Sequence, residues 1–463
     1  MKHSALSSTQ DMTTGKSAGL ILRFSIPLIF GNLFQQLYSI VDAVVVGRFI
    51  GVDALASIGC VSWLCWMISA LFRDTANAFS IAASVRVGNR DLKGFRDVIG
   101  TAVIACAVLG IPLTVILRAA VPFILRVLNV QPNVISMTTD YLIVFIYMIP
   151  IGLVYNIAVS LLRAYGNSSI TFVSMLVSTV VNIVLDLVFV LVFGWGVWGA
   201  AVATWIAQAA AMVIALAVLV RTPEFHIGRE ELRIHPAIVK QLLQLWWPML
   251  FNSLIIALGG MFVEQRTNAL GSSFTAGIAA CMKIFSIMEA VIMALQTGTS
   301  VYVGQNLGAG KYKRIRKGLL ESLKIGVLMM GVMTVLVMGT EGWILPLFLS
   351  SEDALSYERA YEVAMRNILV ILPSMFVMTP MYLHRVTIQT LGFPKYAAIA
   401  GVLQMGARIL TVQLGPSVWG EYAYYLHDGM AWLVSLPVVS IPCYVYLRRR
   451  IQGSAVMPID KGM

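Results

Sequence analysis

Charged residues are scarce in this 463-residue chain: Asp, Glu, Lys and Arg make up 12% of it, whereas hydrophobic residues make up 59%. Because soluble proteins carry about 25% charged residues, this chain has too few charges to cover several soluble domains. Its five cysteines are scattered without a CxxC pair, and it has no cluster of histidines. These absences argue against a disulfide framework and a metal site, and no metal or other cofactor is expected.

Sequence motifs of enzymes and nucleotide-driven pumps are also missing. The chain has no GxxxxGK[ST] phosphate loop, no HExxH and no GxSxG, so neither ATP-driven transport nor an enzyme is predicted. The net charge of +11 comes largely from basic residues in short loops between apolar runs. Such residues set membrane topology and contact anionic lipids, so we expect membrane lipids and no nucleic acid as partners.

Long apolar runs make up most of the chain. A helix needs about 20 apolar residues to cross the hydrocarbon core of a bilayer. Stretches of this kind lie at about 24–46, 56–83, 98–117, 138–160, 170–193, 197–220, 246–267, 276–302, 318–340, 362–388, 396–415 and 424–447. The twofold alternation of a membrane barrel is absent, and open sheet cannot face lipid. We therefore predict an all-α integral membrane protein with twelve transmembrane helices.

The distribution of basic residues predicts the orientation of these helices. An even number of spans places both termini on one side. Basic clusters at 86–96, 221–240, 311–317 and 448–450 fall on that side, whereas the opposite side holds a mainly acidic stretch that includes Glu341, Glu352, Asp353 and Glu358. Positive-inside bias therefore predicts that both termini are cytoplasmic.

The two halves of the chain resemble each other. Shifting the sequence by 220–221 residues aligns Pro27 with Pro248 and Gly88 with Gly308, which membrane composition alone seldom does. Features common to both halves are expected to be scaffold, so the glycine turns are assigned a structural role. Features present in only one half are candidates for chemistry.

The repeat predicts two six-helix bundles. Residues 1–220 form the N-terminal lobe, residues 221–243 form a cytoplasmic linker, and residues 244–463 form the C-terminal lobe. Six spans per half give both lobes the same orientation, related by a pseudo-twofold axis along the membrane normal. Two such lobes around a central cleft suit a transporter that alternates between inward-open and outward-open states.

Two acidic residues lie within predicted spans of the first half only. Asp42 aligns with Val263, and Asp186 aligns with Val412. A charged Asp at the centre of a transmembrane helix costs about 2.5–3.5 kcal/mol, so such residues usually face the bundle interior and serve function. The alternative is that both acids only make hydrogen bonds between helices.

Polar residues at helical spacing accompany both acids. Ser178, Asn182 and Asp186 follow one another at intervals of four on the fifth span, which places them on one face. Carboxylate and amide oxygens in a low-dielectric interior can bind H⁺ or Na⁺. The predicted cation-coupling residues are Asp42, Asn182 and Asp186, with Gln35, Ser39 and Ser178 as possible support.

Several segments together resemble the bacterial multidrug and toxic compound extrusion (MATE) family. They are residues 26–42, 162–167, 196–201 and 303–310, and the resemblance extends from about residue 15 to about residue 450. It implies a secondary antiporter in the bacterial inner membrane that exports small organic, often cationic, drug-like compounds against H⁺ or Na⁺. It also implies that Asp42, Asn182 and Asp186 couple the ion, because they match the family's residues at such a site.

The chain departs from this family pattern in the charge of its spans. Arg73 and Asp74 stand mid-span where relatives usually have small residues. Because adjacent helical residues diverge by about 100°, an ion pair with a neighbouring span is expected rather than a self-pair. Methionine and aromatic side chains suit varied organic cations, although methionines in spans often serve packing. The possible substrate contacts are Arg73, Asp74, Lys283, Glu289, Met293, Tyr382 and Arg408.

A flippase of lipid-linked saccharides, from the same superfamily, is the alternative function. It would need a strongly cationic cavity for a diphosphate head group, and Arg73, Lys283 and Arg408 leave that open. In either case the expected partners are a small-molecule substrate and membrane lipids, and the protein is expected to be a monomer.

Overall fold

The computed structural model describes residues 9–128, 130–349 and 354–453, and within them every regular element is a helix. Glu352 and Asp353 of the predicted acidic stretch lie outside the described residues. The α-helices are α1 Ser17–Val45, α2 Val52–Gly88, α3 Leu92–Val127, α4 Ile135–Tyr147, α5 Ile149–Ala164, α6 Ser169–Asp186, α7 Gly196–Arg221, α8 Pro236–Asn268, α9 Ser272–Gly308, α10 Tyr312–Phe348, α11 Ala354–Thr390, α12 Lys395–Leu414, α13 Pro416–Trp419 and α14 Ala423–Ile451. Two π-helical segments, Val46–Ile50 and Leu187–Val192, continue α1 and α6, and two short 3₁₀ turns are Pro223–Phe225 and Gly420–Tyr422.

Each of the twelve predicted spans falls on a long helix or on a broken pair of helices. In the described ranges, ten helices are long and apolar enough to cross a bilayer, and the pair α4 and α5 makes eleven. The pair bends by 43° around Met148, where the following Pro150 disfavours a straight helix. α2 takes the remaining position, with 37 residues and the charged Arg73 and Asp74 near its centre. The prediction of an all-α membrane protein is confirmed.

Glycines mark equivalent turns in the two halves of the chain. Gly51 before α2 has φ 122°, and Gly271 before α9 has φ 103°. Gly166 after α5 has φ 106°, and Gly392 after α11 has φ 90°. Only glycine adopts these conformations without strain, so the internal sequence repeat reflects a repeated backbone geometry.

Both ends of the described chain lie on one face of the bundle, which we call the terminal face. The Met12 carbonyl accepts a hydrogen bond from the Asn306 side chain at the end of α9, at 3.0 Å. The Arg450 guanidinium at the end of α14 lies 5.5 Å from the ring centre of Tyr312, at the start of α10. The opposite face is called the distal face.

The terminal face is closed where the ends of α2 and α9 meet. A Cβ atom on Gly88 would lie 1.9 Å from the carbonyl oxygen of Gln305, and one on Gly308 would lie 1.8 Å from that of Val85. The two glycines therefore allow the helix backbones to touch in a reciprocal manner. The sequence predicted a structural role for these turns, and the structure places them in the contact between the two halves.

A strap formed by residues 9–16 covers this contact. The Gln10 amide donates to the Gly166 carbonyl at 3.0 Å, in the first half of the chain. Two further bonds connect the strap to the second half of the chain. The Met12 amide donates to Gln305 Oε1 at 2.9 Å, and Arg314 Nη1 donates to the Gly15 carbonyl at 2.9 Å. The Met12 side chain is fully buried. The strap therefore joins the two halves on the terminal face.

The connection between α7 and α8 is shorter than the sequence suggested. α8 begins at Pro236, a residue favoured in the first turn of a helix, and so takes up residues 236–243 of the predicted linker. The rest of the connection packs on α3, where Arg96 Nε donates to the Glu224 carbonyl at 3.3 Å.

The glycine contact leads to a first testable prediction. Gly308→Ala is expected to push α2 and α9 apart on the terminal face, because the new Cβ cannot lie 1.8 Å from a carbonyl oxygen. Spin labels at the exposed positions Lys93 and Lys313, in a variant without native cysteines, should report a longer distance. Gly331→Ala on α10, where an added Cβ meets nothing within 4 Å, is the control. An unchanged distance in Gly308→Ala would contradict this role.

Candidate functional site

Two acidic side chains come together between α1 and α6. Gly31 allows the two helices to approach closely, since a Cβ there would lie only 2.7 Å from the Sδ atom of Met175 on α6. Asp42 lies in the last turn of α1, and Asp186 is the last residue of α6; each is followed by a π-helical segment. Asp186 is fully buried and near enough to Asp42 for electrostatic repulsion. The structure thus brings together the two acids that the sequence singled out.

Several buried oxygen atoms of this pair and of its neighbour Asn182 have no hydrogen-bond donor. Within the described residues, both carboxylate oxygens of Asp186, Oδ1 of Asp42 and Oδ1 of Asn182 are buried and accept no hydrogen bond. The Asn182 amide nitrogen donates one of its two hydrogens to Thr204 Oγ1 on α7 at 3.2 Å. Buried acceptors are rarely left unpaired. Three carboxylate oxygens and one amide oxygen are unpaired here. Together they form a set of ligand atoms that suits a proton or a hard cation such as Na⁺.

The predicted supporting residues differ in their environment. Ser178 is half-buried on α6, on the Asn182 side of the helix, whereas Gln35 and Ser39 on α1 are exposed. Gln35 and Ser39 form no hydrogen bond within the described part of the chain, so their supporting role stays a prediction. Thr204 was not predicted, because one hydroxyl in an apolar span carries no signal in the sequence.

A cavity of about 580 Å³ lies between the two halves. Its walls come from α2 in the first half and from α8, α9, α11, α12 and α14 in the second. The cavity extends to Asn268 and Thr275, on either side of the loop between α8 and α9 on the distal face. The glycine contact and the strap close the opposite end, so the cavity opens towards the distal face.

Six of the seven predicted substrate contacts line this cavity: Arg73, Asp74, Glu289, Met293, Tyr382 and Arg408. The seventh, Lys283, is exposed on α9 and is not among the residues that form the wall. Sequence reasoning missed Arg385, which also lines the cavity. The sequence did contain a signal for it: Arg385 stands three residues after Tyr382 on a predicted helix, and residues at this spacing lie on the same face.

One ion pair lies in the cavity wall. Arg408 Nη2 lies 2.7 Å from Asp428 Oδ1, and its Nε donates to the same oxygen at 2.8 Å. His427 Nε2 lies 3.6 Å from the other carboxylate oxygen of Asp428. Both side chains of the pair are only about one-tenth exposed. Arg408, predicted as a substrate contact, therefore already has a partner from α14.

The carboxylates of Asp74 and Glu289 have hydroxyl partners. Ser253 Oγ donates to Asp74 Oδ2 at 2.6 Å, and the Tyr382 hydroxyl donates to Glu289 Oε1 at 2.8 Å. The expected ion pair between Arg73 or Asp74 and a neighbouring helix is not found among the described residues, since Asp74 reaches α8 through this serine. The prediction was wrong because a hydroxyl, not a cation, stands opposite the carboxylate.

Curated relatives are similar to this chain over most of its length. The probable multidrug resistance protein YoeA of Bacillus subtilis is 27% identical over 341 residues, which cover 72% of this chain and 73% of that protein. The multidrug export protein MepA of Staphylococcus aureus is 21% identical over 443 residues, 93% of each chain.

Solved structures share the fold. One, described as the outward-facing conformation of a multidrug resistance MATE family transporter of the MOP superfamily, has a TM-score of 0.88 at 20% identity and covers 96% of this chain and 100% of its own. The family model MatE matches residues 27–188 and 236–412, most of the chain. The resemblance in the sequence is thereby confirmed, and the chain belongs to the MatE family.

Proposed function

We propose that this protein is a secondary antiporter that exports small, drug-like organic compounds carrying a cationic group in exchange for H⁺ or Na⁺. The carrying observation is the group of unpaired carboxylate and amide oxygens of Asp42, Asn182 and Asp186, in a chain that also has a separate cavity open to one face. The names of the curated relatives, a multidrug resistance protein and a multidrug export protein, support this class of substrate.

Helix α1 offers a physical connection between the ion site and the cavity. It carries Asp42 near one end, and its Asn32 donates to the carbonyl of Ala290 on α9 at 3.0 Å. The residue next to Ala290 is Glu289, which lines the cavity. Pro27 removes one backbone hydrogen bond from α1 and so permits the helix to bend. Ion binding at Asp42 would act on the cavity wall through this helix.

The ion gradient supplies enough free energy for such a cycle. One elementary charge moved through 100 mV gains about 2.3 kcal/mol, and each 1.4 kcal/mol corresponds to a factor of about ten. One ion per cycle therefore sustains a gradient of about fifty-fold for a cargo without net charge. Exchange of one ion for a singly charged cation moves no net charge, so that cargo gradient can equal only the ion concentration gradient. No nucleotide is needed for this cycle.

The proposal includes the surroundings of the protein. The multi-pass chain would lie in the bacterial inner membrane with both termini cytoplasmic, which puts Arg448, Arg449 and Arg450 on the positive-inside side. The distal opening would then face outward. Exposed apolar side chains such as Val335 and Leu328 on α10 would contact membrane lipids, and the protein would act as a monomer.

The lobe boundaries belong to the same proposal. A lobe of residues 1–220 and a lobe of residues 244–463 would rock against each other, joined by residues 221–243, of which 236–243 already belong to α8. The glycine contact and the strap would separate when the terminal face opens, and the distal opening would then close.

The flippase alternative is not favoured. A lipid diphosphate needs a cavity with excess positive charge, yet four carboxylates line this one beside its arginines, and a diphosphate would be repelled by them. They are Asp74, Glu264, Glu289 and Asp428. The names of the curated relatives point to drugs rather than to lipids.

Transport into and out of proteoliposomes tests the proposed function. Vesicles that contain the purified protein and a fluorescent organic cation are given a pH gradient in one experiment and a Na⁺ gradient in another. Dye movement is expected to follow at least one of these gradients and to be absent from protein-free vesicles. Dye movement that ignores both gradients, or scrambling of a prenyl-linked diphosphate lipid in its place, would refute antiport of organic cations.

A further inference from the structure

Four charged side chains in the cavity stand without a partner of opposite charge. Arg73, Arg385, Asp74 and Glu289 all line it, and none of them takes part in an ion pair within 4.0 Å among the described residues. Asp74 and Arg385 are more than nine-tenths buried. Each arginine is nevertheless near enough to both carboxylates to interact with them electrostatically.

Neutral side chains keep these charges apart. The Arg385 guanidinium lies 4.3 Å from the ring centre of Tyr382, while the hydroxyl of the same ring donates to Glu289 at 2.8 Å. The phenol ring thus stands between one cation and one anion. On α2, Arg73 lies 5.5 Å from the ring centre of Trp66. Aromatic faces stabilise a guanidinium without neutralising it.

The Asp74 carboxylate is held in the same way, by a neutral donor. Ser253 occupies its Oδ2 atom at 2.6 Å, although Arg73 is the neighbouring residue. The separation of charges is a local property, because Arg408 and Asp428 in the same wall do form an ion pair, at 2.7 Å.

Such an arrangement has a cost that a ligand can remove. Charges withdrawn from water without a counter-charge are unfavourable, and opposite charges attract strongly in a site of low dielectric constant. A lone cation in this cavity would meet two unpaired guanidinium groups, and a lone anion would meet two unpaired carboxylates. A ligand with one charge of each sign would satisfy both sets.

We propose that this cavity selects zwitterionic organic compounds: a carboxylate or similar anion of the cargo binds at Arg73 and Arg385, and its ammonium or iminium group binds at Asp74 and Glu289. This inference rests on the proposed function and names its substrate class. A cavity of about 580 Å³ accepts a drug-sized molecule. The aromatic rings of Trp63, Trp66 and Trp432 in its wall supply apolar surface for the body of such a compound.

Two dyes that differ only in one charge provide the test. The free acid of unsubstituted rhodamine is a zwitterion, and its methyl ester is a cation of nearly the same shape. Binding to the purified protein is measured by fluorescence anisotropy, and transport is measured separately in proteoliposomes. We expect the free acid to bind about tenfold more tightly than the ester, since a charge-assisted contact of about this strength is gained.

Substitution of the arginines identifies the source of this preference. Arg385→Gln and Arg73→Gln are each expected to weaken binding of the free acid about tenfold and to leave binding of the ester unchanged or tighter. Arg385→Lys keeps the charge and should retain part of the preference. Arg266→Gln is the matched control, because Arg266 is exposed on α8 outside the cavity wall.

The outcomes separate this inference from the proposed function. If the ester binds and is transported as well as the free acid, and the arginine variants treat both dyes alike, the inference is wrong while antiport stands. If the free acid binds preferentially but neither dye moves with an ion gradient, antiport is wrong while the pocket assignment stands. Equal loss of both dyes in Arg385→Lys and Arg385→Gln would show a structural role and also overturn the inference.

Discussion

With a tenfold ion gradient imposed, Asp42→Asn and Asp186→Asn are each expected to reduce the dye gradient that proteoliposomes sustain from about tenfold to near one. The amide keeps the size of the carboxylate but cannot take up a proton or balance the charge of Na⁺. Both acids lie between α1 and α6, away from the cavity wall, so dye binding in detergent should change less than about twofold. The measurement is the steady-state dye gradient at a fixed imposed ion gradient.

The control for this prediction is another acid in the first half of the chain. Asp140 on α4 is exposed, so Asp140→Asn removes a carboxylate without touching the oxygens around Asp186. It should transport as the unaltered protein does. If the Asp42→Asn, Asp186→Asn double variant still pumps dye uphill at full speed, the coupling site lies elsewhere.

Arg408→Leu is expected to destabilise the protein by about 3 kcal/mol, the low end of the range for breaking a buried ion pair. The cost arises because Asp428, only about one-tenth exposed, would lose its partner and stay charged in the cavity wall. The apparent melting temperature in detergent should fall by about 3 °C. The melting curve is followed by tryptophan fluorescence.

A double variant distinguishes charge from packing in this pair. Arg408→Met combined with Asp428→Leu removes both charges and should recover most of the lost stability, because apolar replacements of buried pairs are often neutral. Lys324→Ala on α10 breaks the exposed pair with Glu321 and should cost less than about 1 kcal/mol. A double variant as unstable as Arg408→Leu would contradict the electrostatic explanation.

The helical outline was predictable because membrane insertion depends on local composition. A run of about 20 apolar residues is visible without knowledge of its neighbours, so all twelve predicted spans fall on helices. The bend at Met148 and the π-helical segments after Asp42 and Asp186 were not predicted. These features alter the backbone over only a few residues. The residues there are as apolar as the rest of the span, so hydropathy does not reveal the change in backbone geometry.

The candidate site was predictable where the two halves differ. Asp42 and Asp186 stood out because valines replace them in the second half, and the structure places the two acids near each other. Arg385 and Thr204 were missed, because their importance depends on how α11 and α7 are rotated against neighbouring helices. Lys283 failed to reach the cavity wall for the same reason: one position along a helix turns a side chain by about 100°.

The strap has a consequence for the biosynthesis of the protein. The strap, residues 9–16, is synthesised before its partners, since the bond between Met12 and Gln305 spans 293 residues. At about 5–20 residues per second, the strap waits about 15 to 60 s for its partners to be made. The terminal face is thus sealed only once α9 and the start of α10 exist, and a nascent chain interrupted before that point leaves this side of its bundle open.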